Sequence, residues 1–226
     1  IKHLFLPIVA LVAPVLLVIT QPDLGTSILI AIGGITVAWL AGVRVKFFTY
    51  AMILFISILP IAISFLKPYQ KARILTFLNP DRDPLGAGYQ IIQSKIAIGS
   101  GGLFGKGFLN GSQSYLDYLP EKHTDFIFTL FSEEFGFFGS ITILILYSII
   151  IYRVCQIGNI TRSSFGKLYC YSFATAFFVY VAVNMGMVLG LLPIVGAPLP
   201  ILSYGGSSMM AMMIGLGIVM SCKVYK

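Results

Sequence analysis

The sequence predicts an all-α integral membrane protein: a polytopic bundle of about six transmembrane helices with a large extracytoplasmic loop. Three observations predict it. Of 226 residues, 58% are hydrophobic and only 10% are charged, where soluble domains carry roughly 25% charge. Six runs nearly free of charge, at 4–20, 24–43, 47–66, 126–152, 168–192 and 199–222, are long enough to cross roughly 30 Å of hydrocarbon. Between the third and fourth lies a loop, 67–125, far longer than ordinary connections. The whole chain, 1–226, reads as a single transmembrane domain.

The first run contains Pro7 and Pro14 and the third Pro60. These would kink a soluble helix but are tolerated in membranes, where neighbouring groups satisfy the freed backbone. No cleavage-like site follows the first run and five more spans do, so it does not read as a signal peptide. The start at Ile1 reads as a fragment of something longer. Asp23, in the turn Gln21 to Thr26, is a candidate N-cap for the second span.

The large loop is not disordered by composition. Ile91, Ile92, Lys95, Ile96 and Ile98 fit a short amphipathic helix over 89–98, interfacial or re-entrant. Gly99 to Gly107 then end it. A P-loop fails, because Ser100 stands where the first glycine belongs and Gly107 follows Lys106 where Ser or Thr is required. Two readings remain. Amides near Gly101 and Gly102, with Lys95 and Lys106, could cradle a pyrophosphate; or the segment is a re-entrant turn with snorkelling lysines.

Pro120 to Phe128 brings Lys122, His123 and Asp125 to the mouth of the fourth span. An acid there is a functional candidate by default. The alternative is that Thr124 or Asp125 caps the helix beginning at Phe126. Glu133 and Glu134 lie about 12 Å deeper by helical rise, where an acid costs roughly 2.5–3.5 kcal/mol. Glu133 faces broadly as Asp125 does, whereas Glu134 points away and reads as pairing with a neighbouring helix. His123 fits a metal site or proton relay, or simply a solvated loop histidine. No metal-ligand spacing occurs. No cofactor is assigned, and a divalent cation is left open.

The last spans carry Gly186 to Gly190, a GxxxG pattern suited to close helix packing, and a rigid external turn from Leu191 to Pro200. Ser203 to Ser208 interrupt the start of the final span, and broken helices often line a substrate cavity; tight packing of small residues is the other reading. Cys155, Cys170 and Cys222 form no disulfide framework or metal spacing and read as small buried apolar residues.

Threading six spans places Lys2, Arg44, Lys46, Arg153, Arg162, Lys167, Lys223 and Lys226 on one face, with no acid beside them. By the positive-inside rule that face, including the C-terminus, is cytoplasmic. The net +7 charge is thus mostly a topology signal, and no aromatic-interleaved basic patch argues for nucleic acid. Asp125 then lies outside, where no nucleotide is expected. A substrate there must arrive activated, most plausibly on a lipid.

The ordered motifs Gln21-Pro-Asp-Leu-Gly-Thr26, Asn79-Pro80, Asp83 to Gln90, Gly99-Ser-Gly-Gly102, Gly111-Ser-Gln113, Leu119 to Phe128, Glu133-Glu-Phe-Gly136 and Pro200 to Ser208 resemble the SEDS family (shape, elongation, division and sporulation) of bacterial inner-membrane proteins. Gly111-Ser-Gln113 followed by Leu119 to Asp125 looks like its rod-shape elongation, RodA-like, branch. The resemblance implies a ten-helix fold and a peptidoglycan glycosyltransferase that polymerises lipid II beside a class B penicillin-binding protein. It maps the family's loop aspartate onto Asp125, as the general base for inverting transfer to a strand linked to undecaprenyl pyrophosphate. Lys95, Lys106 and Lys122 are candidates to meet leaving-group charge, with Gly101, Gly102, His123 and Ser203 as further substrate contacts. Glu133 and Glu134 are expected in helix pairing or proton movement. The family's upstream Gln-Pro-Ser-Glu stretch is not in these 226 residues, so this stretch alone is expected to be inactive. Rival readings are a flippase for lipid-linked precursors and a scaffold for a penicillin-binding protein.

Overall fold

A computed structural model describes residues 5–21, 23–65, 71, 75–77, 79, 87–112 and 123–224. Seven helices are its main elements: α1 Phe5–Thr20, α2 Leu24–Leu40, α3 Val45–Phe65, α4 Ala87–Ser100, α5 Ile127–Ile160, α6 Ser164–Val188 and α7 Gly206–Val224. No strand occurs among the described residues. Six helices match the six predicted spans and α4 is the loop helix. Parts of the predicted 67–125 loop, Lys122 among them, lie outside the described residues.

Length and hydropathy qualify α5, α6 and α7 as membrane spans, while α1 to α3 contribute the shorter apolar stretches Leu6–Thr20, Gly25–Leu40 and Val45–Ile58. α1 runs unbroken past Pro14. Asp23 caps α2 as expected, accepting from the Thr26 amide at 3.0 Å and the Thr26 hydroxyl at 2.6 Å. α3 packs least: among its described side chains only Phe48 is even partly buried. Exposed apolar faces of this kind suit a hydrocarbon solvent, where burial brings no hydrophobic gain.

The core lies where α5, α6 and α7 meet, with α2 against α6 and α4 against α5 and α6. Towards the Asp125 end it gathers Phe126, Phe128, Tyr147, Phe177, Met185 and Leu199, with the Tyr147 and Phe177 rings edge-on at 5.6 Å. At the other end Val154, Cys170, Ala174 and Val219 close a smaller cluster. α4 is docked rather than lying loose at the interface. Ile91, Ser94 and Ala97 are buried, and the Ser94 hydroxyl donates to the Val188 carbonyl at 2.8 Å and shares a 2.7 Å bond with the Thr129 hydroxyl.

α5 is 34 residues long and broken at Gly136, whose backbone (φ 65, ψ −160) is not helical. The break frees carbonyls before it and amides after it, and the segment following α4 takes both. Lys106 and Gly107 amides donate to the Glu133 and Glu134 carbonyls at 3.0 Å each, while Phe137 and Phe138 amides donate to the Gly102 and Leu103 carbonyls at 2.9 and 3.2 Å. The glycine-rich segment is thus a turn packed into the helix break, with Lys106 paired to Glu133 rather than snorkelling. Non-helical backbone survives inside a bundle because protein supplies the partners.

Two expectations change. The GxxxG pair is not a helix-packing face: Gly190 (φ +70) ends α6. Its amide donates to the Met187 carbonyl and the Leu191 amide to the Gly186 carbonyl, the double closure of a Schellman motif. The connection between the fourth and fifth spans is shorter than the predicted spans imply, because α5 runs on to Ile160 and α6 begins at Ser164. As expected, the interruption at 203–208 falls at the start of the last span, whose helix begins at Gly206.

Candidate functional site

Asp125 sits in a turn, 123–126, just before α5. The N-cap is Phe126, which makes no side-chain cap bond, and neither Thr124 nor Asp125 occupies that position. The turn is held instead by three successive main-chain oxygens. The Tyr204 amide donates to the His123 carbonyl at 2.9 Å, the Ser203 hydroxyl to the Thr124 carbonyl at 2.7 Å, and the Asn184 amide nitrogen to the Asp125 carbonyl at 2.9 Å.

The donors are themselves fixed. Asn184, on α6, is 0% exposed and also donates to the Ala197 carbonyl at 2.6 Å. Ser203 is buried, and its oxygen accepts from the Leu199 amide at 2.7 Å. Tyr147 on α5 donates to the Pro200 carbonyl at 2.7 Å. Ile201 between them has φ 69, a strained conformation for a β-branched residue that the surrounding bonds hold in place. Two helices and the 197–204 segment thus pin the residue that carries the acid. The Asp125 carboxylate faces Gly196: a Cβ built there would lie 3.4 Å from Oδ2.

Beside the turn opens a cleft of about 660 Å³, its wall including His123, Ile127, Ile201, Ser203, Tyr204 and Met209. His123 is exposed and Tyr204 is 83% exposed, so both can meet a ligand. Ser203 cannot do so freely, because its hydroxyl is spent on the clamp.

The other candidates separate. Amides of Gly101, Gly102, Gly105, Lys106 and Gly107 all donate to backbone carbonyls, so the pyrophosphate cradle expected at Gly101 and Gly102 lacks its donors. Lys106 is engaged as well: its Nζ lies 2.7 Å from Glu133 Oε1 and 2.8 Å from the Ser112 hydroxyl. Glu133 is fully buried and Glu134 nearly so, both at the helix break. Lys95 stays exposed on α4, its amine lying over Gly190 at the C-terminal end of α6, where a cation suits the helix dipole. Among the described residues no group of three or more His, Cys, Asp and Glu could hold a metal ion.

Two predictions arise. Lys106→Met removes the cation 2.7 Å from buried Glu133, at a cost of about 3 kcal/mol, and adding Glu133→Gln should restore most of the melting temperature in detergent. A double variant no more stable than the single one would show that the lost ion pair is not the cause. Asn184→Ala removes two hydrogen bonds worth about 1 kcal/mol each; it should lower both the melting temperature and the activity of the full-length protein. Unchanged values for both would mean the clamp does not depend on it. Sequence reading missed Asn184. The one side-chain amide in the apolar run 168–192 was the available signal.

The apolar helices and the broken-helix bundle define a polytopic membrane protein, with a braced acid as its candidate site. The comparisons place it further. The profile of a cell cycle protein family, FtsW/RodA/SpoVE, matches residues 1–226, and the chain belongs to that family. Peptidoglycan glycosyltransferase MrdB of Escherichia coli (strain K12) is 48% identical over 226 residues, covering 100% of this chain and 61% of its own length. Stage V sporulation protein E of Bacillus subtilis (strain 168) is 38% identical over 222 residues, 98% and 60% of the two chains. A solved structure concerned with the coordination of polymerization and crosslinking by a peptidoglycan synthase complex superposes with a TM-score of 0.73 at 36% identity, over 97% of this chain and 60% of that one. The rod shape determining protein RodA of Thermus thermophilus does so at 0.59 and 27%, over 95% and 54%. The chain spans about six tenths of the length of these curated relatives.

Proposed function

We propose that the full-length protein polymerises lipid II into glycan strands during cell elongation, on the outer face of the bacterial cytoplasmic membrane, with its C-terminus in the cytoplasm. Family membership and the names of the relatives support the reaction class. The observation that carries the site is the clamp on the main-chain oxygens of His123, Thr124 and Asp125, which holds a carboxylate at the end of the bundle.

In the proposed step the acceptor GlcNAc 4-hydroxyl gives its proton to the Asp125 carboxylate. Its oxygen attacks the donor's anomeric carbon from the face opposite the leaving group. The carbon–oxygen bond to undecaprenyl pyrophosphate breaks, its electron pair leaves with the phosphate, and the anomeric configuration inverts. General-base help of this kind is worth typically 10²–10⁴-fold. Lys95 and Lys122 are the lysines proposed for the leaving-group charge, because Lys106 is held by Glu133. A class B penicillin-binding protein is the proposed partner.

The flippase reading leaned on buried Glu133 and Glu134 and on the interruption of the last span at 203–208. In that interruption the Ser203 hydroxyl and the Tyr204 amide hold the Thr124 and His123 carbonyls, which favours a rigid support over a transport pathway. The test uses full-length protein with lipid II and a penicillin-binding partner whose crosslinking is blocked by a β-lactam. Glycan polymer is the expected product. Lipid II movement across vesicles with no polymer would overturn the assignment in favour of transport.

A further inference from the structure

Roughly 40 Å of helical rise from Asp125, the far ends of α5 and α7 enclose a second pocket of about 450 Å³, lined by Arg153, Gln156, Ile157, Ile160, Met220 and Lys223. We propose that it holds the headgroup of an anionic phospholipid, with the acyl chains running along Ile160 and Met220.

The charge comes first. Arg153 and Lys223 line one pocket, and no carboxylate pairs with either among the described residues; Lys106–Glu133 is the ion pair seen there. Arg162 and Lys167 lie at the same end of the bundle, and the described residues there include no acid. Positive-inside bias accounts for the sign of these residues but not for two of them sharing a pocket. Anionic lipid headgroups bind basic pockets between helices on the cytoplasmic side.

The geometry narrows the ligand. Arg153 donates one guanidinium N–H to Gln156 Oε1 at 3.1 Å, and Gln156 donates in turn to the Tyr152 hydroxyl at 3.0 Å. The fork is thereby oriented with its remaining donors open, and a phosphate can take two of them together. Lys223, in the last turn of α7, adds a point charge on a flexible stem. The rim is apolar, with Ile160 57% and Met220 52% exposed. A free phosphate would use the cations and leave this rim in water; a phospholipid uses both. Only the choice of leaflet rests on the proposed orientation, since the pocket itself does not depend on it.

The experiment is native mass spectrometry of full-length protein in detergent, titrated with phosphatidylglycerol or with phosphatidylcholine of the same acyl chains. Phosphatidylglycerol should be retained preferentially, with about a fivefold loss for each charge removed in Arg153→Gln and Lys223→Gln. Arg153→Lys with Lys223→Arg should keep most of the preference, which separates charge from misfolding. Equal retention of the two lipids overturns the proposal, as does a preference that survives the double glutamine variant. Competition by glycerophosphoglycerol as strong as by the whole lipid would reassign the pocket to a soluble anion. Polymerisation by the double variant in detergent should be unchanged, so failure here is distinct from failure of the catalytic reading.

Discussion

Asp125→Asn in the full-length protein is expected to lower lipid II polymerisation about 10²–10⁴-fold while leaving its melting temperature and its complex with the penicillin-binding partner intact. The separation follows from which atoms do the holding. All three clamp bonds end on main-chain oxygens of residues 123 to 125, so exchanging a carboxylate for a carboxamide leaves each of them in place. The carboxamide has nearly the same shape but cannot accept a proton at neutral pH. Asp125→Glu tests position: it keeps the base but moves it by a methylene, and misplacement on the order of 1 Å can cost 10²-fold. A full rate from the asparagine variant would remove Asp125 from the chemistry. A loss matched by an equal fall in stability would make it a structural residue.

Much of this arrangement was legible in the sequence because it follows from local rules. Uncharged runs marked six of the seven helices, with hydrocarbon thickness setting their length. Asp23 was readable as a cap because its carboxylate needs only the Thr26 amide three residues on. Asp125 stood out because an acid beside an apolar run is costly. What stayed hidden depends on pairing distant segments. Nothing local says that Lys106 and Gly107 complete the hydrogen bonding of a helix that starts twenty residues later, so the same glycines also read as a phosphate cradle. GxxxG spacing is shared by packing faces and by helix ends, and only the Leu191 amide closing on Gly186 tells them apart. Asn184 contacts residues 59 and 13 positions away, and no local window spans both.

Gly136→Ala is expected to prevent stable folding, seen as loss of monodisperse protein after detergent extraction. Its φ of 65 and ψ of −160 fall in a region open essentially to glycine alone, where another residue costs about 1–3 kcal/mol. Space adds to this: a Cβ at Gly136 would lie 2.3 Å from the Gly105 nitrogen and 2.8 Å from the Leu103 carbonyl carbon, both rigid backbone atoms. Relaxing into a continuous helix would avoid the clash but expel residues 102–107, losing four backbone bonds worth about 1 kcal/mol each and shifting the Lys106–Glu133 pair. Either route removes much of a typical margin of about 5–15 kcal/mol. Gly217→Ala is the control. It lies in α7 with nothing within 4 Å of an added Cβ, so it should be neutral or slightly stabilising. If Gly136→Ala extracts and melts like Gly217→Ala, the break in α5 is not held by glycine's freedom, and the support it gives to residues 102–107 must come from elsewhere in the bundle.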